Sequence, residues 1–116
     1  MPATTPVALT PVTDATFADE VLASHTPVLV DFTAAWCPGC RMIAPVLAQV
    51  AVEHAASLRV VTLDVDHNSQ VPAAYGVLAI PALIVFRDGE PVKSLVGALS
   101  KHRLLNELAE ILELAP

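Results

Sequence analysis

The sequence predicts an α/β fold, a central mixed β-sheet of about five strands flanked by helices on both faces. Three observations lead there. First, short runs rich in β-branched residues (VLVDF at 28–32, LRVVTLDVD at 58–66, ALIVF at 82–86) alternate with stretches of helical period, and that alternation implies parallel pairing. Second, ALIVF is followed by Arg87-Asp88-Gly89-Glu90 and then by PVKSLVG at 91–97. The Asp-Gly pair is a hairpin signal, so the last strands are antiparallel. Third, the 116 residues are 54% apolar, which suits one domain with one buried core rather than a disordered chain.

Taken in order, residues 1–6 read as a flexible N-terminal arm and 7–116 as a single domain. Pro2, Pro6 and Pro11 punctuate the start, and Val7-Ala8-Leu9 is a candidate edge strand. TDATFADEVL has a helical pattern, with Thr13 or Asp14 as cap and Phe17, Val21 and Leu22 on one face. Pro27 ends it. VLVDF is nearly all apolar and reads as a buried strand. From Cys37 to about His54, Met42, Ile43, Val46, Leu47, Val50 and Ala51 recur at helical spacing. Pro45 inside that helix removes one backbone donor and should kink it. After the strand at 58–66, Asn68 or Ser69 can cap a short helix that ends at Tyr75-Gly76. Ser100 caps the final helix, whose core stripe is Leu104, Leu105, Leu108, Ile111 and Leu112, with Glu107, Glu110 and Glu113 on the wet side.

Composition excludes several function classes. Twelve acidic residues against six Lys and Arg give a net charge of −6. No basic patch for nucleic acid can be built from so few scattered cations. The start has neither a basic n-region nor an apolar h-region, and the longest nearly unbroken apolar run, 77–86, is too short to span a bilayer. The expectation is a cytoplasmic protein with no membrane partner. Nothing suggests a dimer, and a monomer is expected.

The chemistry gathers in AAWCPGCRM at 34–42, which holds both cysteines behind the one tryptophan. Cys37 falls at the N-cap of the long helix, where the dipole and free amides favour a thiolate and lower its pKa. Pro38 then falls at the first helical position, where a missing N–H costs nothing. Cys40 lies one turn on, on the same face, close enough to close a disulfide. This arrangement suits thiol–disulfide exchange, with Cys37 the more exposed attacker and Cys40 the resolving thiol. Trp36 offers an apolar landing surface.

Two further residues bear on that site. Asp31 interrupts a buried strand, so its carboxyl should have a raised pKa or a water link. It either takes the proton of Cys40 or merely faces a loop at the strand end. Pro81, at the start of a buried strand, cannot donate to a ladder and marks a special turn, cis or trans. The alternatives for the cysteines are weaker. A zinc site needs four ligands, and His54 lacks a partner at 58–60, which reads Leu-Arg-Val. His25, His67 and His102 are scattered, so no metal is expected. Inert core thiols do not suit a helix N-terminus.

Several stretches together resemble the thioredoxin family over residues 7–114: VLVDFTAAWC-x-x-CRMIAPVL, LDVDHN, YGVLAIPALIVFRDGEPV and VGALSK. The resemblance implies a thioredoxin fold and a protein-disulfide reductase that binds no cofactor. It implies Cys37 as nucleophile, Cys40 as resolving thiol, Asp31 as the buried acid–base and Pro81 as a cis-proline facing the disulfide. Trp36, Pro38, Gly39, residues 76–79 including Ala79, Ile80, Pro81, Gly97 and Ala98 would line the substrate groove, with the Ile80 backbone pairing with an extended substrate segment. The partners implied are disulfide-containing proteins and a thioredoxin reductase-like flavoprotein that uses NADPH.

The departures from the family pattern bear on direction. The usual order is Trp-Cys-Gly-Pro-Cys, whereas Pro38 and Gly39 are exchanged here, and proline after the first cysteine is more similar to glutaredoxins and periplasmic oxidants. A better stabilised thiolate makes a stronger oxidant, so an oxidase or isomerase competes with the reductase. Thr33 stands where a tryptophan is common, and Thr62 where many members carry a lysine near the buried aspartate, so Asp31 should hold its proton more strongly. A third reading is a redox-independent binding module that uses the same groove.

Overall fold

The structure, a computed structural model, describes residues 9–112. Five strands form one sheet in the order β1-β3-β2-β4-β5: β1 Thr10–Val12, β2 Val28–Thr33, β3 Arg59–Asp64, β4 Ala82–Arg87 and β5 Glu90–Val96. β1, β3 and β2 pair in parallel, while β4 and β5 run antiparallel. Four α-helices are found among the described residues: α1 Pro38–Glu53, α2 Gln70–Ala74, α3 Lys101–Glu107 and α4 Ala109–Leu112. This is the mixed sheet with covered faces that the element order predicts.

Residue alternation along the central strands builds two apolar layers. Val28, Val30 and Phe32 of β2, with Ala82, Ile84 and Phe86 of β4, pack on Phe17, Val21 and Val71. Leu29, Leu83 and Val85 face the other way, onto Ile43, Leu47 and Val50 of α1, Leu104 of α3, Leu108 at the α3–α4 junction and Ile111 of α4. Asp31 is two residues from Leu29, so strand alternation puts it on the α1 side. That parity matters, because α1 carries the cysteines on the same side.

The hairpin follows from its turn. Asp88 and Gly89 have φ of 53° and 80°, the pair of positive angles that a two-residue β-turn needs. Pro91 is tolerated because β5 is an edge strand. Pro45 sits within α1 without ending it. Ser100 caps α3 as expected, its Oγ accepting from Arg103 N at 3.1 Å.

Three expectations need correction. The edge strand is Thr10–Val12, further along the chain than the predicted 7–9, of which Val7 and Ala8 lie outside the described residues. Pro11 is accommodated there as an edge residue. The stretch TDATFADEVL is not a regular α-helix. Thr13 Oγ1 accepts from Thr16 N at 3.2 Å and closes a local turn, and only Ala18–Leu22 is helical, as one π-turn. Finally, Ser69 occupies the N-cap of α2 without a side-chain bond. Asp14, expected to cap its own segment, performs that task instead. The proposed arm at 1–6 and the wet-side Glu113 lie outside the described residues.

Candidate functional site

β2 delivers the chain from the middle of the sheet to its end, and a short loop, 34–36, turns it into α1. Cys37 is the N-cap of α1, in an extended conformation with φ −88° and ψ 111°. Pro38 takes the first helical position, where φ is already suitable. The Cys37 Sγ accepts the Cys40 backbone N–H at 3.2 Å. The two Cα atoms are 5.2 Å apart and the sulfurs are joined as a disulfide, a separation ordinary for such a bond. The site is therefore described in its oxidised form.

The expected difference in exposure between the two cysteines is not found. Each is 3% exposed, because Ala34, Val65 and Ile80 pack around both. Position separates them instead. Cys37 stands at the dipole end of the helix, and Cys40 lies inside its first turn.

Pro81 reaches the site from the other direction. The Ile80–Pro81 bond is cis. A Cβ built at Gly39 would lie 3.1 Å from Pro81 Cδ and 3.7 Å from Ala98 Cβ. Gly39 thus lets the first turn of α1 sit directly against Pro81 and Ala98. Gly97 N donates to Pro81 O at 2.8 Å, which fastens the end of β5 to this loop. Gly39, Pro81, Gly97 and Ala98 are therefore brought together beside the disulfide.

A second group gathers around Trp36. Trp36 is 63% exposed, and its Nε1 donates to Asp66 Oδ2 at 2.9 Å. With Val65, Pro72, Val77, Leu78, Ala79 and Ile80 it bounds a cavity of about 290 Å³. Pro38 is exposed and does not border that cavity. Val65, Pro72 and Asp66 were not singled out in the sequence. Val65 and Asp66 follow β3 and so arrive at the same end of the sheet as the cysteines. Parallel pairing with β2 is the one signal that could have found them.

Asp31 is 3% exposed, and its Oδ1 has no hydrogen-bond partner. Its register neighbours are Thr62 on β3 and Leu83 on β4, neither of them charged. Burial pushes its carboxyl up to about 7, since no adjacent cation offsets the loss of solvation. The sequence expectation of a proton held unusually strongly is met. Among the described residues, no three His, Cys, Asp or Glu side chains gather as a metal-binding group. No helix among them is long and apolar enough to cross a membrane.

A family model described as "Thioredoxin" matches residues 8–110. The chain belongs to the thioredoxin family. It is 53% identical over 100 residues to a thioredoxin of Mycobacterium tuberculosis (strain ATCC 25618 / H37Rv), covering 86% of each chain. It is 48% identical over 97 residues to thioredoxin 1 of Synechococcus elongatus (strain ATCC 33912 / PCC 7942 / FACHB-805), covering 84% of this chain and 91% of that one. A bifunctional thioredoxin reductase/thioredoxin of Mycobacterium leprae (strain TN) is 48% identical over 100 residues, which are 86% of this chain and 22% of that protein. Family membership and the Cys37–Cys40 disulfide agree on the chemistry. The chain is a thiol–disulfide oxidoreductase of the disulfide-reductase kind, and its substrates are disulfides.

Proposed function

We propose that the protein reduces protein disulfides through Cys37, with Cys40 resolving and Asp31 moving the proton. The observation that carries this reading is the Cys37 Sγ at the N-cap of α1, accepting the Cys40 amide. On reduction that sulfur becomes a thiolate stabilised by the helix end. The Cys37 thiolate attacks one sulfur of the substrate disulfide. A mixed disulfide forms, and the other substrate sulfur leaves as a thiolate and takes a proton. Asp31, as carboxylate, accepts the Cys40 proton, and the Cys40 thiolate attacks the Cys37 sulfur. The Cys37–Cys40 bond forms and the second substrate thiolate leaves. The substrate gains two electrons and the protein loses two.

A carboxyl with a value near 7 can both take and return that proton near neutral pH. The groove between Trp36 and Ile80 on one flank, and Pro81, Gly97 and Ala98 on the other, holds an extended substrate segment. The protein is recharged by an NADPH-dependent flavoprotein reductase and works in the cytoplasm as a monomer. The joining of a reductase and a thioredoxin in one Mycobacterium leprae chain supports a reductase partner. The test is insulin reduction with dithiothreitol. Wild type accelerates precipitation, and Cys40→Ser accumulates a mixed disulfide through Cys37. Absence of both effects refutes the assignment.

A further inference from the structure

One wall of the groove is Pro72, Val77, Leu78, Ala79 and Ile80, carried by α2 and the loop after it. α2 has only five residues, too few to be stable alone. Its first amides are satisfied from far away. Gln70 N donates to Asp14 Oδ2 at 3.0 Å and Val71 N to Asp14 Oδ1 at 2.9 Å. Asp14 is itself held, its own amide donating to Asn68 Oδ1 at 2.8 Å. Asn68 is nearly buried and donates through Nδ2 to Asp64 O at 3.1 Å. From Asp64 the bonds continue to Trp36, which lines the same cavity: Asp66 N donates to Asp64 Oδ1 at 2.8 Å, and Trp36 Nε1 donates to Asp66 Oδ2. One polar chain thus joins Asp14 to the α2 wall and to Trp36.

We propose that Asp14 is a positioning residue for substrate recognition: its two-pronged carboxylate presets the α2 wall of the groove, so that a protein disulfide binds a surface already in place. The inference rests on the reading of this groove as the substrate site. A carboxylate that accepts two amides at a helix start makes charge-assisted bonds. Without it two amides lose their partner, the wall gains freedom, and ordering it becomes a cost of binding. The Asp14 bonds run to the α2 amides and Asn68, not to either cysteine. The chemistry of the disulfide is therefore left alone, and the effect falls on recognition of large substrates.

The test compares Asp14→Ala with wild type on insulin, on hydroxyethyl disulfide and in a glutathione redox titration. The insulin KM should rise about tenfold with kcat retained, the scale expected for loss of a helix cap. The single-turnover rate with hydroxyethyl disulfide, read from Trp36 fluorescence, and the Cys37–Cys40 potential should match the wild type. Asp14→Asn keeps one accepting oxygen and should give an intermediate KM, and it carries the test should Asp14→Ala not fold. An unchanged insulin KM, or an equal loss on both substrates, overturns the proposal. Ile80→Glu separates it from the groove reading. If Ile80→Glu raises the insulin KM and neither Asp14 variant does, the positioning role alone fails. If Ile80→Glu has no effect, both fail.

Discussion

The N-termini of α1 and α3 are built alike and do different things. Both begin with an extended N-cap residue, Cys37 and Ser100, whose side chain accepts the amide three residues on. The distances are 3.2 Å to sulfur and 3.1 Å to oxygen. At α3 the acceptor is a neutral hydroxyl and the bond is a structural cap. At α1 the acceptor is a sulfur that can carry charge, so on the proposed reading the same dipole that fixes the helix also tunes a nucleophile. The helix end is common to both, and the atom placed there decides between architecture and chemistry.

Cys37→Ser should separate capping from exchange at the α1 end most sharply. Exchange should be abolished, yet serine is a good cap, so α1 should persist with stability within about 1 kcal/mol of the reduced wild type. Turbidity and a denaturant melt check the two halves. Loss of α1 together with activity would mean that the sulfur is not acting as a cap.

Next in size is Asp31→Asn, which asks whether the α1 end carries a cost that the α3 end lacks. Folded Asp31 keeps its proton up to about pH 7, whereas an unfolded aspartate releases it near 3.8. Between those values the folded protein binds more protons, so stability falls as pH rises and the loss is complete above the folded value. The full span is of order 4 kcal/mol. The oxidised Asp31→Asn protein should lack this slope and be the more stable form above neutral pH. The variant should also slow release of the mixed disulfide more than its formation. Parallel pH profiles for the two proteins would remove the buried-carboxyl account.

The smaller effects lie at α3. Ser100→Ala should cost about 1 kcal/mol and leave exchange untouched. Ser100→Cys, in a chain with Cys37→Ser and Cys40→Ser, puts a lone thiol in the matching cap. Its pKa should drop by about half a unit below the free value, given the usual strength of a helix end. Thiolate absorbance against pH measures this, and an unshifted value would show that α1 supplies more than its dipole.

Much of this was readable in the chain because it is local. Asp88-Gly89 fixed the hairpin, Ser100 the start of α3, and the spacing of Ile43, Leu47 and Val50 the buried face of α1. The cysteine pair, Asp31 and Pro81 were each visible as a residue that breaks its surroundings. What escaped depends on the fold bringing distant residues together. Asp14 looked like a cap for its own segment, and only the approach of Asn68 and α2, more than fifty residues on, redirects its carboxylate. Cys37 and Cys40 are equally buried in one cluster with Ala34, and no helical rule places Val65 and Ile80 against it. The Trp36–Asp66 bond spans thirty residues in the same way.

The direction of electron flow separates a reductase from an oxidant, and it is in question because Pro38-Gly39 replaces the usual order where the first turn of α1 meets Pro81. A redox titration of the Cys37–Cys40 pair against glutathione measures it. A reductase requires a potential near that of thioredoxins, about −270 mV. A potential above about −200 mV would contradict that and make the protein an oxidant.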